Sequence, residues 1–149
     1  VSWRRRGALY LVCYHRPFRH ARHYLGFAYP DDPALADAAI VAEVRAAVQT
    51  RITCRYLTAA QAAGVARRIG QHRAGRGARI LAAVIAAGNG FTVVRIWPSA
   101  TEAHEKALKD RNCGPKLCPR CNPGTTTALA ITPIRYRRRR RKTQAALAA

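Results

Sequence analysis

Hydrophobic positions fall in short blocks whose spacing alternates between strand-like and helix-like. Ala8-Leu9-Tyr10-Leu11-Val12-Cys13-Tyr14 is a brief apolar run rich in strand formers, and after a polar, basic stretch His23-Tyr24-Leu25-Gly26-Phe27 supplies a second. Two neighbouring antiparallel strands follow. Asp31-Asp32-Pro33 carries a helix-start signal, and Leu35, Ala39, Ile40 and Val44 give segment 34–49 the periodicity of a helix. Residues 51–57 read as a short strand. Thr58 with Gln61 three residues on has the capping-box pattern and opens a helix carrying Ala62, Val65, Ala66 and Ile69, ended by Gly75 and Gly77. Residues 78–87 read as another helix, stopped by Gly88-Asn89-Gly90. The β-branched run from Phe91 to Trp97 predicts a strand ending at Pro98. Ser99 and Glu102 repeat the capping-box spacing ahead of a helix reaching about Asp110.

At 149 residues the chain suits one compact domain plus tails. A content of 49% hydrophobic but only 7% aromatic residues predicts a core of small side chains and excludes wholesale disorder. Charge changes the picture more: 27 Lys and Arg face 7 Asp and Glu, a formal +20. The preference for Arg (23) over Lys (4) is what a GC-rich coding sequence produces regardless of function, but the scarcity of acids is not explained that way. A polyanion partner accounts for it, whereas an acidic substrate surface, a neutral sugar site or a self-contained oligomer core does not.

The seven cations between Arg135 and Lys142 leave +13 on the rest of the chain, so the folded part is itself basic. Residues 122–149 read as a basic, disordered tail. Its run of Arg137, Arg138, Arg139, Arg140, Arg141 and Lys142 can thread phosphates by charge, or can serve only to keep the chain soluble. Contact with about eight phosphates would make log affinity fall with log salt at a slope near about −7 on duplex DNA. No stretch has the ~18 consecutive apolar residues of a membrane span. Arg4-Arg5-Arg6 before an apolar run imitates a signal peptide's start, yet the run is short and lacks a small-residue cleavage pattern, so a cytoplasmic protein with no membrane partner is expected.

Five cysteines give no even disulfide framework, and Cys113, Cys118 and Cys121 crowd near the end of the folded part. Reduced thiols fit better than bridges. The Cys-x4-Cys-x2-Cys spacing also makes these three candidate zinc ligands. Three thiolates do not close a tetrahedral site, so His104 or a partner chain would have to complete it, and reduced loop thiols are the default.

The order of features then becomes distinctive: a strand with Ala8-Leu9-Tyr10, a strand with Tyr24-Leu25-Gly26, a helix with Arg68-Ile69 and His72, and a helix with Glu105, Leu108 and Lys109. Over roughly residues 8–112 the chain resembles the GIY-YIG nuclease family. The resemblance implies an α+β fold in which helices flank a small three-stranded antiparallel sheet, with residues 1–121 forming the nuclease domain. It further implies hydrolysis of phosphodiester bonds in DNA with a divalent cation, usually Mg²⁺, and hence a nucleoid-associated location. Ala8 stands where the family has Gly, and Tyr24 lies 44 positions before Arg68, well beyond the usual spacing. An insertion over 30–57, expected as an extra helix at the domain edge, would account for the excess. By the same resemblance Glu105 is the single carboxylate metal ligand, Arg68 grips the phosphate, Tyr10 is the general base or water-positioning group, Tyr24 is its partner at the mouth, and Asn112 can assist nearby.

The chemistry of these residues is compatible with those roles. A hard cation such as Mg²⁺ can bind through one carboxylate, waters and the substrate phosphate. The plain alternative for Glu105 is a surface ion pair with Lys109 at i+4, contributing about 0.2–0.5 kcal/mol. Arg68 can offer a planar fork of donors to phosphate oxygens, with adjacent Arg67 a competitor and His72 a further phosphate contact. A free tyrosine titrates near ~10, so Tyr10 acts as a base only if metal and arginine charge lower it. His20, His23 and His72 can take a proton near neutral pH, and His23, beside Tyr24, is the best-placed catalytic candidate of the three. Two rival readings stand beside the nuclease: a non-catalytic nucleic-acid-binding module on the same scaffold, and an RNA-associated protein of ribosomal style.

Overall fold

The two N-terminal apolar runs form a hairpin. In the computed structural model, which describes residues 6–48, 57–110 and 114–123, β1 spans Gly7–Phe18 and β2 spans Ala21–Ala28. They pair antiparallel through a tight turn whose central residues, Arg19 (φ 48°) and His20 (φ 64°), are both left-handed. That combination matches the right-handed twist of the flanking strands. β3, Phe91–Ala100, pairs antiparallel with β1, giving the order β2-β1-β3. The chain is therefore α+β, with one three-stranded antiparallel sheet. β3 runs through Pro98 instead of ending there, because on an edge strand a residue lacking an N–H need break no ladder bond.

Alternation along β1 divides the core in two. Ala8, Tyr10, Val12 and Tyr14 face a cluster that includes Val44, Val65, Ile69, Leu81 and Val84. Leu9, Leu11 and Cys13 face the opposite cluster, with Leu25, Phe27, Trp97, Leu117 and Cys118. Because both faces are covered, the central strand reads as an unbroken apolar run rather than an alternating one.

Helices α1 (Ala38–Ala46), α2 (Ala59–Arg73) and α3 (Arg79–Ala86) supply the first cluster. α1 begins later than its periodicity suggests. Asp32 caps only a 3-10 turn over Pro33–Leu35, and a second acid, Asp37, accepts from the backbone N–H groups of Ala39 and Ile40 to start the helix proper. Within the expected insertion this helix packs on α2 and leaves the sheet intact. Val48, just after it, bridges to Ile96 on the free edge of β3.

The capping box of α2 forms in full, with Gln61 N–H to Thr58 Oγ1 at 3.1 Å and Thr58 N–H to Gln61 Oε1 at 3.4 Å. Gly64 lets α2 approach the exit of β2, since a Cβ there would lie 1.9 Å from the Tyr29 carbonyl oxygen. α4 covers Glu102–Asp110 and α5 Gly114–Leu117. Thr101, not Ser99, opens α4: its carbonyl accepts from the N–H groups of His104 and Glu105, and its own N–H donates to His104 Nδ1 at 3.1 Å. Ser99 instead accepts from Gln61 Nε2 at 3.3 Å. Among the described residues no helix is long and apolar enough to cross a membrane. The expected strand at 51–57, apart from Leu57, and the basic tail from 124 onward lie outside the described residues.

Candidate active site

Tyr10 and Tyr24 come from adjacent strands and project from the same face of the sheet, with ring centroids 6.4 Å apart. Register explains this: Tyr10 pairs with Gly26 and Val12 with Tyr24, so the two phenols sit diagonally on one face. The glycine opposite Tyr10 is required by the ring itself, since a Cβ on Gly26 would lie 2.3 Å from the Tyr10 hydroxyl.

α2 lies over that face and presents residues one turn apart, Arg68 and His72. His72 is fully buried and its Nε2 is 2.8 Å from the Tyr10 hydroxyl. Its Nδ1 faces the Arg76 carbonyl at 3.3 Å. A carbonyl only accepts, so Nδ1 carries the ring proton and Nε2 accepts from the Tyr10 O–H. Burial, and secondly the charge of Arg68, hold the His72 pKa below the ordinary histidine value and keep the ring neutral.

Burial is also the main influence on Tyr10, pushing its phenol well above the ordinary tyrosine value, with Tyr24 and Glu105 acting in the same direction. The Arg68 charge and a hydrogen bond from its side chain oppose them. Tyr10 thus donates a hydrogen bond to His72, with the Arg68 charge nearby. The exposed Arg68 reaches solvent, whereas Tyr10 lies behind it.

The front of this assembly is a cleft of about 460 Å³ whose walls include Tyr24, Arg67, Arg68, Glu102 and Glu105. α4 packs along β2 and brings both glutamates to it from consecutive turns. Glu105 pairs with Lys109 at 2.7 Å, and the Lys109 ammonium lies 5.3 Å from the centre of the Tyr24 ring. Glu102 accepts from the Tyr29 hydroxyl. Sequence reasoning misses Glu102, although its i, i+3 spacing to Glu105 is a usable signal.

The structure therefore brings Tyr10, Tyr24, Arg68, His72 and Glu105 together. Arg67 stands at the same cleft but is ion-paired with Asp31, whose carboxylate is held below its usual range by the Asp32 N–H and by Arg67. His20 occupies the hairpin turn. His23 does not join the phenols. Neighbouring residues of a strand point to opposite faces, so adjacency to Tyr24 sends His23 through to the other side, where it pairs across the strands with Cys13. His104 is engaged at the start of α4, away from the described thiols, which gather instead as Cys13, Cys118 and Cys121 beside His23. Asn112, Cys113 and Arg137 to Arg141 lie outside the described residues. In comparisons with protein-family models, with curated proteins and with solved structures, the chain has no match.

Proposed function

We propose that the protein is a GIY-YIG-type endonuclease that hydrolyses DNA phosphodiester bonds with a divalent cation. One observation carries the reading: Tyr24 of β2, Arg68 of α2 and Glu105 of α4 line one cleft in a strongly basic chain, with the buried Tyr10 of β1 directly behind them.

The donor set suits Mg²⁺, because Glu105 offers hard carboxylate oxygen at a water-accessible wall, with Glu102 one turn away. The cation, when bound, supplies charge stabilisation to the phosphate oxygens. The residues do the rest. Arg68, exposed on the cleft wall, holds the substrate phosphate through paired hydrogen bonds. Tyr24 orients the attacking water at the mouth. Tyr10 takes the water's proton as its own passes to His72 Nε2, so the charge comes to rest on the imidazole instead of a tyrosinate, with burial opposing either form. The folded domain and the cationic tail both favour a polyanion, and chromosomal DNA at the nucleoid is the substrate we assign.

A second reading, a binding module that has lost the chemistry, draws support from the Lys109 ammonium already neutralising Glu105. Nicking of supercoiled plasmid separates the two. The nuclease cuts with Mg²⁺, and Glu105→Gln abolishes cutting while DNA binding persists. A wild-type protein that binds DNA yet never nicks it would overturn the assignment.

A further inference from the structure

On the sheet face opposite the cleft, four metal-ligating side chains from three separate segments meet. Cys13 of β1 and His23 of β2 are register partners, and the segment after α5 folds back so that Cys118 and Cys121 reach them. One ligand atom from each lies within 4.8 Å of every other. We propose that Cys13, His23, Cys118 and Cys121 form a closed Cys3His site for a structural zinc ion, which staples the C-terminal segment to the sheet.

Geometry favours an ion over a disulfide or a merely packed group of thiols. Tetrahedral zinc with Zn–S bonds of ~2.3 Å sets its sulfurs roughly 3.8 Å apart. The Cys13 and Cys121 sulfurs are separated by 3.8 Å, far beyond the ~2.0 Å of a disulfide. The Cys118-Pro119-Arg120-Cys121 turn directs the Cys121 N–H to the Cys118 sulfur at 3.4 Å, a donor aimed at a developing thiolate. Both ring nitrogens of His23 are buried without a hydrogen-bond partner. Buried polar atoms are rarely left so, and coordination accounts for one of them.

The rest of the segment is built to deliver these ligands. Leu117 is buried in the second core, and the buried Arg95 donates to its carbonyl at 3.2 Å. With four protein ligands no position stays open for substrate, so the role is structural. The site pins the chain immediately ahead of the basic tail. It depends on no property of the cleft.

The test is metal analysis of the full chain purified without chelators. One zinc per chain is expected, and exchange for Co²⁺ should give the visible bands of tetrahedral cobalt with near-ultraviolet thiolate charge transfer. Cys121→Ser and His23→Ala should lose the stoichiometric zinc and the bands, while Cys54→Ser and Cys113→Ser keep both. If the losing variants fail to fold, His23→Cys serves instead: it should retain one metal and strengthen the thiolate charge transfer, which a histidine with only a packing role would not do. Wild-type protein without zinc or cobalt bands overturns the proposal, as does a metal-free Cys118–Cys121 disulfide. Zinc that survives His23→Ala but is lost in Cys113→Ser also overturns it. None of these readouts involves DNA cleavage, so the nuclease assignment and the zinc site can fail separately.

Discussion

The Tyr10 hydroxyl donates to His72 Nε2 over 2.8 Å, and the other nitrogen of the same ring donates to the Arg76 carbonyl. In the proposed reaction this hydrogen bond carries a proton from Tyr10 to His72, and that makes the step pH-dependent. His72 accepts only while neutral, and its pKa lies below the ordinary histidine value because of burial and Arg68. Cleavage should hold constant through neutral pH and fall as pH drops through that lowered value. His72→Ala should lose about 10²–10⁴ in rate. Stability should move with the same sign: the unfolded chain binds a proton below about 6.5 that the folded chain refuses, so stability falls as the pH falls through that window. A pH–rate profile alongside urea titrations checks both. A rate that rises toward acid would contradict the relay.

Arg68 and Arg67 are neighbours in sequence with different engagements. Arg68 is exposed on the cleft wall without an ion pair among the described residues, and Arg67 is committed to Asp31. Arg68→Lys keeps the charge but loses the planar fork. It should reduce cleavage about 10²–10³-fold, as loss of one preorganised donor does elsewhere. Arg67→Lys should change the rate by less than about threefold, since a partly exposed pair contributes about 0–1 kcal/mol. Single-turnover kinetics at saturating Mg²⁺ on both variants would settle which arginine acts.

Much of this was legible in the sequence, for identifiable reasons. Elements with strong local signals appeared where expected: the Thr58–Gln61 capping box, the Gly88 helix stop and the β-branched run of β3. What the sequence hid depended on position in the sheet or on competing caps. Pro98 reads as a terminator unless its strand is known to be at an edge. Asp32 and Asp37 both cap, and the extended Ala36 between them ends the first turn and leaves the second acid to start α1. His23 looked catalytic because it is next to Tyr24 in sequence, yet strand alternation alone excludes it from that face. Cys13 gave no signal as a partner of Cys118 and Cys121, because 105 positions separate it from the nearer of them and only folding closes the distance.

Gly26 faces the Tyr10 ring so closely that a methyl group cannot be added without moving one of them. Gly26→Ala should destabilise the fold by about 1–3 kcal/mol through overpacking. It should also lower cleavage by more than the folded fraction accounts for, because the phenol is pushed off His72. Tyr10→Phe in the Gly26→Ala background should cause no further loss of activity. A stable Gly26→Ala variant with full activity would show that the ring has room the structure does not give it.

Glu43 ties the expected insertion to the rest of the domain. From α1 its carboxylate receives both terminal nitrogens of Arg73 on α2, at 2.8 and 2.7 Å, and the Val93 N–H of β3 at 3.1 Å. Burial alone would raise its pKa, but the Arg73 bonds and then the Val93 bond outweigh it, and the value falls below the ordinary one. A carboxyl with a depressed folded pKa stabilises the protein above its unfolded value, near ~4.3, and loses that contribution as pH falls through the folded one. Glu43→Ala should cost about 1–3 kcal/mol at neutral pH, because the Val93 N–H loses its acceptor and Arg73 its carboxylate partner. Glu43→Gln should cost less and remove part of the acid sensitivity. Urea midpoints for the three proteins at pH 7 and at pH 3 measure this directly. The gap between wild type and Glu43→Gln should narrow at the lower pH, and a gap that widened there would show that Glu43 does not hold the insertion in its charged form.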